Sequence, residues 1–150
     1  MRNARAFTIL ELMVAMAILA ILAAIAVPNY IGWLPKRHLR SSAIDVQAAI
    51  QLAKMTAIRE NTNVSLRFNI ASENYDAFID ANADGNPDGA IFRSEEMSPG
   101  IDMIGTGFGS DTITFNSRGL ADAAGNITLS NRLGENLTVS VTLTGIARIL

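Results

Sequence analysis

Glu11 stands at the head of a stretch, Leu12 to Pro35, in which no side chain is charged. A carboxylate in hydrocarbon is costly. An acid at the centre of a spanning helix costs about 2.5–3.5 kcal/mol, and less toward the helix end. An acid kept in such a place is by default a functional group in need of a cation at similar depth. Cutting the chain between Ala6 and Phe7 would create one, the free amino group of Phe7. That amino group lies four residues from Glu11 in the same chain, and a neighbouring chain shifted along the axis would present it as well. In the second geometry the ion pair drives assembly.

A second set of side chains is the run Asp80, Asn82, Asp84, Asn86 and Asp88, with Gly85 at its sixth position. Oxygen ligands at alternate positions followed by a glycine have the spacing of an EF-hand-like calcium loop. The twelfth position, where a bidentate Glu belongs, is Ile91. The same residues are also those of an ordinary hairpin loop, because Asp, Asn and Gly favour tight turns. A third set is the basic group Lys36, Arg37, His38 and Arg40, a contact for lipid headgroups or nucleic acid, or a solvated collar beside a spanning helix. His38 is the lone histidine and there is no cysteine, which argues against a His-based metal cluster and excludes thiol chemistry and disulfides. No nucleophile–base pair is visible, so no catalytic residue is assigned. The net charge of -2 offers no general attraction for nucleic acid.

These residues need elements to hold them. The uncharged run exceeds the roughly 20 residues that cross a bilayer as a helix. Two simpler explanations exist for it. A secretory signal peptide would use Arg2 and Arg5 as its positive region and Ala24-Ile25-Ala26 as its cleavage site. A plain anchor would need only the apolar length. Neither gains from Glu11. Pro28, Gly32 and Pro35 interrupt the helical pattern and predict kinks or local melting there. Helical periodicity resumes from Lys36 to about Arg59, with Leu39, Ala43, Val46, Ile50, Ala53 and Ala57 on one stripe. Asn61-Thr62-Asn63 ends it.

From Val64 the period changes to two. Val64 to Ile70 and Tyr75 to Asp80 predict a hairpin; Ile91–Arg93, Ile101–Ile104, Thr112–Phe115 and Ile127–Ser130 are further strands. The clearest alternation is Leu137, Val139, Val141 and Leu143. The expected fold is α+β, with a long N-terminal helix, half transmembrane and half amphipathic, packed on an antiparallel β-sheet.

Phe7-Thr8-Ile9-Leu10-Glu11, an apolar helix and Pro28 at its far end resemble the type III signal of type IV pilins and type II secretion pseudopilins. The resemblance implies a leader of residues 1–6, an assembly helix of 7–35 and a periplasmic pilin-like domain of 36–150. It further implies cleavage by prepilin peptidase between Ala6 and Phe7, methylation of the new Phe7 N-terminus, and subunit docking guided by Glu11. The residue before the cut is usually Gly in that family and is Ala6 here. Lys36, Arg37 and Arg40 outnumber Arg2 and Arg5, so charge alone does not orient the helix. The resemblance puts the N-terminus in the cytoplasm.

In the second half, Phe115 to Ala121, Gly125 to Ser130, Gly145-Ile146-Ala147-Arg148 and the loop from Ile79 to Asn86 are similar to the GspH/FimT group of minor pseudopilins and minor pilins. DNA-uptake members of the FimT branch carry a Gly-Arg-x-Arg tail; here Ile146 replaces the first Arg and only Arg148 matches. DNA binding needs several cations arrayed along phosphates. The expectation is a single-pass inner-membrane minor pseudopilin or minor pilin without enzymatic activity. Its partners would be other subunits, the prepilin peptidase and the inner-membrane assembly platform. No cofactor is expected beyond a structural calcium. The rival readings are a DNA-binding minor pilin for natural transformation and a free periplasmic calcium-binding domain released from a signal peptide.

Overall fold

The computed structural model describes residues 8–150, apart from the side chains of Val27, Pro28 and Asn29. The expected cleavage pair Ala6 and Phe7 lies outside the described residues. One helix, α1, runs Ile9–Glu60. It begins where Thr8 caps it: the Thr8 carbonyl accepts from Leu12 N–H at 3.2 Å and Thr8 Oγ1 from Glu11 N–H at 3.2 Å. It stops at Asn61, which takes the left-handed conformation (φ 50) that commonly closes helices, while Thr62 N–H reaches back to the Ala57 carbonyl at 3.2 Å. The helix passes through Pro28, Gly32 and Pro35. The local melting predicted there does not occur. A proline deletes one N–H donor, whereas melting a turn would strand several more polar groups.

The chain divides into two compact units, 1–34 and 35–150. In the first, the described side chains from Ile9 to Ala26 are all exposed, including Leu12, Met13, Val14, Ile18 and Leu22. In the second, the predicted stripe is the core: Leu39, Ala43, Val46, Ile50, Ala53 and Ala57 are buried, joined by Ala49. These side chains share one hydrophobic core with Leu66, Phe68, Ile113 and Phe115 of the strands.

The rest of the second unit is eight strands in two antiparallel sheets, not the single sheet predicted from the alternation. Strands β1 (Val64–Asn69), β2 (Asn74–Ile79), β3 (Ile91–Glu96) and β5 (Thr112–Phe115) form one sheet in the order β3-β2-β1-β5. Strands β4 (Ile101–Thr106), β6 (Gly125–Asn131), β7 (Asn136–Val141) and β8 (Ala147–Ile149) form the other, in the order β4-β6-β7-β8. The chain leaves the first sheet after β3 through a turn at Gly100 (φ 79), pairs β4 with β6, and returns for β5 through Phe108, whose ring stacks on Phe68 at 6.1 Å. Alternation reports a buried face but not its partner strand, so the division into two sheets is invisible to it.

One strand end and one added strand differ from expectation. Strand β7 ends at Val141 rather than continuing through Leu143, which is exposed. A tight turn follows, with Gly145 N–H donating to the Thr142 carbonyl at 2.8 Å. The chain then folds back as β8, placing Ala147 opposite Val141 and Arg148 opposite Ser140.

Candidate assembly face

Thr8 and Glu11 are brought together at the helix start. Thr8 is the cap and Glu11 the third helical residue, the Ser/Thr-x-x-Glu spacing of a capping box. This spacing is legible in the sequence and gives Thr8 a role that a search for cations near Glu11 overlooks. Glu11 itself is exposed and sits where the helix dipole favours negative charge. Beyond it lies the apolar surface of the first unit. It is long and apolar enough to cross a membrane, and its most apolar window has no buried residue. A helix that exposes apolar side chains all round needs lipid or other helices as its surroundings.

The Asp80–Asp88 loop is organised by its own hydrogen bonds. Asp80 is fully buried. Its carboxylate accepts from Ser65 Oγ at 2.6 Å, Asp84 N–H at 3.0 Å and Gly85 N–H at 2.9 Å. Because the Ser65 proton goes to Asp80, the 2.7 Å contact of Ser65 Oγ with Thr114 Oγ1 has Thr114 as donor. The Asp84 carboxylate accepts from Asn86 N–H at 2.8 Å and Asn82 Nδ2 at 3.1 Å, and Asp88 accepts from Asn82 N–H at 3.2 Å. Asn86 contributes its backbone. Among the described residues no three His, Asp or Glu side chains converge as metal ligands. The buried Ser65–Asp80 pair has no histidine beside it; it ties two strands to a loop.

The residues that carry the GspH/FimT wording form a structural joint. Asn116 Oδ1 accepts from Arg118 N–H at 2.9 Å and Leu120 N–H at 3.1 Å. Gly119 and Gly145 both have positive φ, and a Cβ on Gly145 would lie 2.7 Å from the Gly119 carbonyl oxygen. Lys54 on α1 donates to the Thr144 carbonyl at 2.8 Å and pins this joint to the helix. Arg148 is exposed on the edge strand. In the basic group, Lys36 pairs with Glu135 at 2.6 Å, and that hydrogen bond, with a second from Asn131, holds the Glu135 carboxyl below its ordinary range. Both partners are solvent-exposed, so the pair contributes little to stability.

Comparison with known proteins agrees with this geometry. The family model of the prokaryotic N-terminal methylation motif matches residues 1–27. Among solved structures, the chain is similar to the minor pseudopilin EpsH from the type 2 secretion system of Vibrio cholerae, at 13% identity and a TM-score of 0.59 over 75% of this chain and 96% of that one. It is also similar to the type IV minor pilin FimU of Pseudomonas aeruginosa, at 16% identity and a TM-score of 0.60 over 77% of this chain and 88% of that one. At such identities the likeness is one of fold. No curated protein sequence matches the chain. The model of the family described as Type II transport protein GspH matches residues 42–145, which take in the stripe from Ala43, every strand but β8 and the Gly119–Gly145 joint, and the chain belongs to that family of minor pseudopilins and minor pilins.

Proposed function

We propose that this protein is a structural subunit that enters a periplasmic filament of a type II secretion or type IV pilus machine, with its N-terminal helix packed among those of other subunits. The carrying observation is the apolar helix surface headed by the capped Glu11. In this reading the prepilin peptidase removes residues 1–6, Phe7 is methylated, and the helix holds the subunit in the inner membrane with the domain from Lys36 onward in the periplasm. The Glu11 carboxylate then meets the amino group of Phe7 on a neighbouring subunit at the assembly platform. The role is mechanical, not catalytic. Glu11→Val tests it. Removing a charge from the bilayer leaves insertion intact or improves it. The domain from Lys36 stays folded, because Glu11 lies outside its core. A normal membrane level with lost cross-linking to filament subunits is expected. Full cross-linking with Val at position 11 would sink the assembly role.

A further inference from the structure

A small polar pocket lies between α1 and β3, with a volume of about 160 Å³. That is well under the roughly 300–1,000 Å³ of typical small-molecule sites, and it suits a single amino-acid residue. Ser42 and Asp45 come from the helix, Tyr75 from β2, and Arg93, Glu95 and Glu96 from β3. Ser42 is only 2% exposed, and its Oγ has no hydrogen-bond partner within the chain. Arg93 Nε is likewise buried without a partner. Buried polar atoms in this state are uncommon and call for an explanation.

The charges decide what would satisfy them. Arg93 is opposed by its neighbour Glu95, 3.5 Å from the guanidinium. Asp45 and Glu96 remain at the exposed rim, so three carboxylates face one guanidinium. Burial pushes the Tyr75 phenol up; the Arg93 guanidinium beside it offsets part of this, and the Glu95 and Asp45 carboxylates add to it. Among the described residues this is not a metal cluster. The pocket therefore favours an organic cation that brings its own carbonyl: the cation for Ser42 Oγ, Asp45 and Glu96, the carbonyl for Arg93 Nε–H. A lysine or arginine residue in a polypeptide carries both.

We propose that this pocket between helix α1 and strand β3 receives a basic side chain, with its peptide carbonyl, from an adjacent filament subunit. The partner's identity as a subunit rests on the filament reading above; the chemistry of the pocket does not. The test uses full-length protein in detergent micelles and three blocked amino acids: Nα-acetyl-lysine, Nα-acetyl-norleucine and Nα-acetyl-glutamate N-methylamides. The lysine probe should shift the Ser42, Asp45 and Glu96 amide resonances saturably. The norleucine probe should bind at least about tenfold more weakly, the worth of one modest charge contact. Asp45→Asn with Glu96→Gln should abolish the lysine effect without lowering Tm, since both side chains are exposed. Equal binding of the norleucine or glutamate probe, or no binding by any, overturns the proposal. In cells, Asp45→Lys should reduce cross-linking to other subunits at least about fivefold with an unchanged membrane level, and unchanged cross-linking overturns the partner assignment. If wild type itself fails to cross-link, the filament reading falls, and the probe titration still decides the pocket.

Discussion

Replacing Asp80 with alanine tests whether the acidic loop is held by its own hydrogen bonds. The carboxylate takes three of them, from Ser65 Oγ, Asp84 N–H and Gly85 N–H. Bonds to a charged group are worth about 1.5–3 kcal/mol each when nothing replaces them. Here some replacement occurs. Asp84 and Gly85 lie in an outward loop where water reaches their N–H groups, and Ser65 keeps Thr114. The loss is then nearer about 1–1.5 kcal/mol per bond, or about 3–4.5 kcal/mol in all. For a domain of this size about 1 kcal/mol moves Tm by roughly 4 °C, so Asp80→Ala should melt about 12–18 °C below wild type. Asp80→Asn keeps the shape and one acceptor, and should lose about half as much. The assay is circular dichroism melting of the full-length protein in detergent, in EDTA and again in millimolar calcium. A fall of less than about 4 °C in EDTA would refute the hydrogen-bond account. A loss seen only with calcium present, and matched by Asp84→Ala, would show that Asp80, Asn82 and Asp84 act as cation ligands, since a ligand of the folded state alone raises Tm.

Further outcomes follow from other sites. Mass spectrometry of the membrane-extracted protein should find a chain beginning at methylated Phe7; a start at Val27 would mean a signal peptide. Gly145→Ala places a Cβ 2.7 Å from the Gly119 carbonyl oxygen at positive φ, and should cost about 2–4 kcal/mol of stability by thermal melting. Thr8→Ala should speed amide exchange at Glu11 in micelles and leave exchange in the β-sheets unchanged. Tyr75 has its pKa raised above 10.0 by burial, so the folded state holds that proton more tightly than the unfolded chain. Its contribution is fully present below pH 10 and is lost as pH rises through the folded value. Stability should fall above pH 10, and Tyr75→Phe should flatten that alkaline limb of a Tm-against-pH curve.

What the sequence determined by itself is what local periodicity encodes. Leu39, Ala43, Val46, Ile50, Ala53 and Ala57 recur at helical spacing, and all are buried in one helix. Val64 to Ile70 alternates and Tyr75 to Asp80 reads as its partner strand, and Val64–Asn69 and Asn74–Ile79 do pair as a hairpin. A lone carboxylate ahead of an uncharged run is equally a local fact, and it lies within the N-terminal methylation motif matched over residues 1–27. The tertiary structure alone decided which distant segments meet. Strand β1 pairs not only with β2 but with β5, Val64 opposite Phe115, and nothing in either segment names the other. Strand β8 spans three residues, too short for alternation to register. That Asp80 is buried and bonded to Ser65 of strand β1 cannot be read from its row of oxygens. Ser42 and Arg93 form a pocket only because helix α1 and strand β3 come together. A side-chain period records that a face is buried; which face covers it depends on loop closure and steric fit over the whole chain, and those are properties of the packed domain.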